Sequence, residues 1–220
     1  IGSLATDVAR ALAVPGVRIV PPRFGKHTVG IEVPNPQKEI VRLKDLMATA
    51  PQAQGRMHLP LYLGKDAAGE PIVADLAGMP HMLLAGTTGS GKSVSINAII
   101  MSMLMTRRPE EARLILVDPK MVEMAAFEKL PHLLCPIIND MHKAEEILAW
   151  AAQKMDERYE LLREARVRNL AAYNRLKPAE LYERLGVHSD EEKQRVPRPM
   201  PRYVIIIDEL ADLMMTSGKE

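Results

Sequence analysis

Two short stretches of the chain carry residue types at spacings that chemistry needs. The run Gly86-Thr87-Thr88-Gly89-Ser90-Gly91-Lys92-Ser93 fits the pattern G-x-x-x-x-G-K-[ST] without a mismatch. Glycines let a backbone turn sharply and approach an anion with no Cβ in the way, so the eight residues read as a cradle of N–H donors for a phosphate chain. In that reading Lys92 reaches the β- and γ-phosphates and Ser93 sets its hydroxyl on Mg²⁺. The helix opening near Gly91 turns its positive end toward the anion. The second stretch is Asp208-Glu209, which closes the apolar run Tyr203-Val204-Ile205-Ile206-Ile207. Alone it is a weak signal, since the same pair would cap a helix over Leu210 to Met215. Beside a phosphate loop it reads as a Walker B element, because ligands of an open α/β sheet gather at the carboxyl ends of its strands.

Asp208 would then hold Mg²⁺, directly or through water, and Glu209 would orient the water that attacks the γ-phosphate or take its proton. Kinases must exclude water and GTPases use a glutamine elsewhere, so a second acid at this point favours an ATP-hydrolysing motor of the RecA-like kind. The catalytic expectation falls on Glu209 and Lys92.

Such a site needs a sheet to bring together residues 92 and 208, which lie 116 positions apart. Met82-Leu83-Leu84-Ala85 reads as the strand feeding the loop. The helix from Val94 to Met105 is apolar on nearly every side and should be buried against the sheet. Leu114-Ile115-Leu116-Val117 has the continuous β-rich character of a strand covered on both faces. Asp118-Pro119 reads as the cap and first turn of another helix. Ile137-Ile138 suits a short strand. From Met141 to about Leu176 comes the longest helical stretch, with Leu148, Ala151, Met155, Tyr159 and Leu162 along one stripe. Residues 178–202 are charged and proline-rich and read as a surface excursion.

Ahead of this lies a smaller unit. Leu4, Val8 and Leu12 recur at helical spacing up to Pro15-Gly16, two strands follow at 17–20 and 28–33, and a short helix begins at Leu43. Pro51 to Gly55 is polar and punctuated, which suits a boundary. A hairpin around Gly64 to Gly69 comes next, with Lys65 and Asp66 as solvated turn residues. The fold class expected is α/β: a RecA-like P-loop NTPase core with a mostly parallel sheet over residues 57–220, preceded by a small α+β subdomain over residues 1–56.

Lys plus Arg number 29 against 28 for Asp plus Glu, so net charge gives no footprint of nucleic acid. The single cysteine, Cys135, excludes an internal disulfide and suits a reducing, cytoplasmic compartment. No apolar run is long enough to span a membrane, so no membrane contact is expected within these residues. Neither His132 nor His142 has partners at a metal-ligand spacing.

Four segments together resemble the FtsK/SpoIIIE family of DNA translocases. They are Met79 to Ser93, Val117-Asp118-Pro119-Lys120-Met121, Arg166 to Ala171, and Ile207 to Met215. The phosphate loop is generic to many ATPases, but its combination with the extended Walker B segment is specific. The resemblance covers most of the chain and implies a pump for double-stranded DNA that assembles as a hexameric ring. It also implies ATP and Mg²⁺ as cofactors, and a role in chromosome segregation at division or sporulation. Residues 1–56 are similar to that family's α subdomain and the remainder to its β subdomain. Members often carry N-terminal membrane helices that would anchor the full-length protein to the inner face of the cell membrane. Because the family's β subdomain runs on past its Walker B strand, a start without methionine and a finish at Glu220 suggest a piece of a longer protein. Sensor and arginine-finger residues are then expected outside it. Two other readings stay open: a related RecA-like ring ATPase such as a conjugative coupling protein, and a nucleotide-sensing module that does not hydrolyse.

Overall fold

The computed structural model describes residues 2–21, 28–35, 39–87 and 89–217. They fall into two compact units, Ile1–Ala53 with Tyr62–Val73, and Gln54–Leu61 with Ala74–Glu220.

The first unit opens with helix α1 (Gly2–Ala11), followed by strands β1 (Arg18–Val20) and β2 (Gly30–Glu32). The strands pair antiparallel, with Ile19 opposite Ile31. The expected reversal through Pro22 to Lys26 lies outside the described residues. Helix α2 (Leu43–Thr49) buries Leu46, and the main-chain oxygen of Ala50 just beyond it accepts a bond of 3.2 Å from the buried Tyr62 hydroxyl. Where a polar linker was expected there is a short helix, α3 (Gln52–Arg56), with Pro51 just ahead of it, where a missing N–H costs nothing. Strands β3 (Pro60–Lys65) and β4 (Pro71–Asp75) form the expected hairpin. Asp66 Oδ1 organises its turn by accepting from the N–H groups of Ala68 and Glu70, each at 2.9 Å.

The second unit is built on α4 (Lys92–Thr106), β5 (Ala112–Val117), α5 (Met141–Glu164), α6 (Leu170–Arg175), α7 (Pro178–Leu185), α8 (Asp190–Arg195), β6 (Arg202–Ile207) and α9 (Leu210–Ser217). Strands β5 and β6 run parallel, from Ala112 opposite Arg202 to Val117 opposite Ile207. On the other edge of β5, Leu114 and Val117 form parallel bridges to Leu133 and Ile138. The strand expected at Ile137-Ile138 is thus reduced to a bridge. Pro136, which has no N–H to give to a ladder, interrupts it.

The two-residue period of a strand divides the core. Leu114 and Leu116 face a cluster with Ile96, Ile100 and Met103 of α4, whereas Ile115 and Val117 face one with Ala144 of α5 and Leu213 of α9. Helices therefore cover both faces of β5, whose last four residues are fully buried. Helix α4 is buried on one side only, with Val94 72% and Met105 61% exposed, so its all-round apolar character does not mean all-round burial. Met155 and Tyr159 of α5 are likewise exposed, and that helix meets the sheet further toward its start, where the ring of Trp150 stacks on Tyr203 at 5.7 Å.

Three other expectations are corrected. Asp118 caps no α-helix: its fully buried carboxylate accepts from Lys120 N at 3.2 Å and Met124 N at 2.9 Å, and Met121 at φ 52° turns the chain off a helical path. The long helix breaks after Glu164, where Arg166 takes φ 53°, and Asn169 caps a new start by accepting from Ala172 N. Residues 178–202 are a packed helical segment rather than an excursion. Leu181 and Met200 are buried with Ala165 and Tyr173, and Asn174 binds both the N–H and the oxygen of Met200 at 2.9 Å. The charged exterior hid a core carried by a few widely spaced apolar residues. Among the described residues no helix is long and apolar enough to cross a membrane.

Candidate functional site

The segment ahead of the glycine-rich loop takes no strand pairing over residues 81–87, unlike the expected strand. At its end the loop turns tightly, Ser90 N donating to Thr87 O at 3.0 Å. A Cβ added to Gly86 would stand 2.2 Å from Ser90 Oγ, so only glycine fits that close approach. Gly91, in the left-handed region at φ 97°, starts α4 without offering a side-chain cap. The first N–H groups of α4 are therefore left to other acceptors. Thr87 and Gly89 are exposed in the loop, Ser93 is the second residue of α4, and Thr88 lies outside the described residues.

Asp208 extends β6 by one residue, its N–H donating to Val117 O at 3.0 Å, which fixes its place at the carboxyl end of the sheet. Lys92 meets it there. Nζ donates to the main-chain oxygen of Asp208 at 2.9 Å and stands 3.4 Å from Asp208 Oδ1 and 3.5 Å from Glu209 Oε2. Burial by itself would pull the lysine's pKa down, yet the charges of Asp208 and Glu209 and their hydrogen bonds outweigh it and hold the value above that of a free lysine. Asp208 is 8% exposed, and its Oδ1 is buried with no hydrogen-bond partner. An orphaned carboxylate oxygen is what a hard divalent cation seeks, so Asp208 together with the Ser93 hydroxyl suits Mg²⁺ with phosphate oxygens completing its shell.

From these acids a groove of about 920 Å³ runs along β6, with the main chain of 80–86 on its other side. Leu83 on that wall is 78% exposed. At the far end Arg158 lies over the Tyr203 ring, 3.8 Å from its centroid. The structure thus brings together Lys92, Asp208 and Glu209, with Gly86, Ser90 and Gly91 shaping the loop before them. Sequence reasoning missed the placement of Asp118. Both parallel strands end in an aspartate, and the register of Val117 with Ile207 sets Asp118 beside Asp208. The shared ending was the available signal.

Comparison with known proteins follows the same lines. The FtsK/SpoIIIE family model matches residues 42–220, and the FtsK alpha domain model matches residues 1–35. The chain belongs to the FtsK/SpoIIIE family. It is 45% identical to DNA translocase FtsK of Pseudomonas putida over 100% of its own length and 27% of that protein's. It is 46% identical to DNA translocase FtsK 2 of Ralstonia nicotianae over 99% of its length and 28% of that protein's. It therefore spans little more than a quarter of these relatives. Among solved structures, it resembles the cytoplasmic domain of the Thermomonospora curvata type VII secretion ATPase EccC. That match has TM-score 0.54 and 26% identity, and covers 73% of this chain and 18% of that one. It also resembles the pCW3 conjugation coupling protein TcpA in its monomer form with ATPγS, with TM-score 0.58 and 23% identity over 100% of this chain and 54% of that one. The fold is the RecA-like P-loop fold, with the phosphate loop and the acids of this FtsK/SpoIIIE chain at its sheet edge.

Proposed function

We propose that this chain is the ATP-hydrolysing core of a motor that moves double-stranded DNA. Gly86 to Ser93 bind the triphosphate and Lys92 neutralises its outer phosphates. Ser93 and Asp208 hold the metal, and Glu209 orients the attacking water and draws off its proton. Magnesium, when bound, neutralises charge on the β- and γ-phosphates. The observation that supports this reading most strongly is the meeting of Lys92 with both acids across 116 residues of chain.

The relatives at 45% and 46% identity carry the name DNA translocase, which favours duplex DNA as the partner. In the full-length protein the motor works as a hexameric ring at the cytoplasmic face of the cell membrane, and the 1–56 region is its α subdomain. A pure sensor would do better without a water-positioning acid, and Glu209 argues against one. The test is ATP turnover by the full-length protein with and without linear duplex DNA. Severalfold stimulation together with movement along naked duplex supports the proposal. Turnover indifferent to DNA would reject it.

A further inference from the structure

One cation serves two acids at the sheet edge. Lys92 Nζ is 2.9 Å from the main-chain oxygen of Asp208, 3.4 Å from its Oδ1 and 3.5 Å from Glu209 Oε2. The Asp208 side chain is 5% exposed, and a carboxylate at that depth without a counter-charge is costly. A lysine ammonium has three donors but a single compact charge on a flexible stem. Whatever draws it toward phosphates takes it from the acids. On the nucleotide reading given above, we infer that Lys92 is an internal counter-ion for which phosphates compete with Asp208 and Glu209, so that nucleotide and divalent cation bind interdependently.

The consequences differ for each ligand. A cation arriving alone meets acids that are already neutralised. A triphosphate arriving alone must take the lysine and leave a buried carboxylate unpaired. Arriving together, the cation replaces the ammonium at the acids while the ammonium neutralises the phosphates. The chain thereby discriminates against metal-free nucleotide with no additional residue. The Glu209 side chain is 36% exposed, so its share of the hold on Lys92 is that of a half-exposed ion pair, about two- to fivefold in affinity.

The experiment measures ATPγS binding to the full-length protein in EDTA and in magnesium, for wild type, Glu209→Gln, Lys92→Ala and the double variant. In EDTA, Glu209→Gln should bind about two- to fivefold more tightly than wild type, and the same change made on top of Lys92→Ala should give no gain. Unchanged or weaker metal-free binding by Glu209→Gln would overturn the inference. So would a gain that persists without Lys92, since it would then be direct repulsion between Glu209 and the phosphates. Absence of saturable binding by wild type even with magnesium would overturn the nucleotide reading itself, and the inference with it.

Discussion

Lys92 Nζ donates a 2.9 Å hydrogen bond to the main-chain oxygen of Asp208, a residue 116 positions further along the chain. The contact ties the start of α4 to the end of β6, so the phosphate loop and the acids are held at one sheet edge. Lys92→Ala removes the phosphate partner and the buried acid's counter-charge together. ATPγS affinity should fall about tenfold or more, as for loss of a hydrogen bond to a charged group. Calorimetric titration checks this, and unchanged affinity would contradict it. The pKa of Lys92 is raised, so its ion pairs are fully present below the value of an unfolded lysine and are lost as pH rises through the folded value. Binding should therefore show no dependence on this residue between about pH 6 and 9.

The close approach at Gly86 gives a second expectation. Gly86→Ala would press a methyl to 2.2 Å from Ser90 Oγ and 3.2 Å from Ser90 Cβ, so the loop must shift. Nucleotide affinity should drop about tenfold, the scale of a modest overpacking strain. Ser90→Ala, by removing the hydroxyl, should restore part of it. Full affinity in Gly86→Ala would show that the loop has room the structure does not give it.

Asp75 governs an acid-sensitive tie in the second unit. Burial pushes its carboxyl pKa up, but N–H donors from His58, Leu59 and Ala77, at 2.8 to 3.1 Å, pull harder and leave it below the ordinary value. A depressed carboxylate contributes stability above its unfolded pKa of about 3.9 and loses it as pH falls through the folded value. Asp75→Asn should cost about 1 to 2 kcal/mol at neutral pH, and the difference should shrink below about pH 4. Urea melts at both pH values check this. A difference that is constant with pH would be wrong for this origin.

The helical segment between α5 and β6 makes a fourth. Leu181 is fully buried, and Leu181→Ala should cost about 3 kcal/mol, whereas the exposed Gln194→Ala should stay within about 0.5 kcal/mol. Near-equal, small effects would return the segment to the surface excursion that its composition suggested.

Much of the site was legible because its residues are fixed by chemistry. A phosphate loop needs Gly86 and Gly91 where they stand, and the strand ending in Asp208-Glu209 has few other uses beside it. The strong apolar run of β5 and the Asp66 turn were legible for similar local reasons. What could not be read depended on neighbours distant in sequence. Met82 to Ala85 has the composition of a strand but takes no pairing here, and strand identity requires a partner. Asp118 with Pro119 is a sound helix start by local rules, yet tertiary burial of Met124 and Phe127 bends the chain into a turn instead. Leu181 and Met200 lie too far apart for periodicity to reveal that they share a core with Tyr173.

The account depends most on Glu209 acting on water while Lys92 and the loop hold the nucleotide. The direct measurement is phosphate release from ATP by full-length Glu209→Gln in the presence of duplex DNA, alongside its ATPγS affinity in magnesium. The account predicts binding within about fivefold of wild type and turnover reduced about 10² to 10⁴-fold, the usual worth of a positioned general base. Turnover equal to wild type, with binding intact, would contradict it.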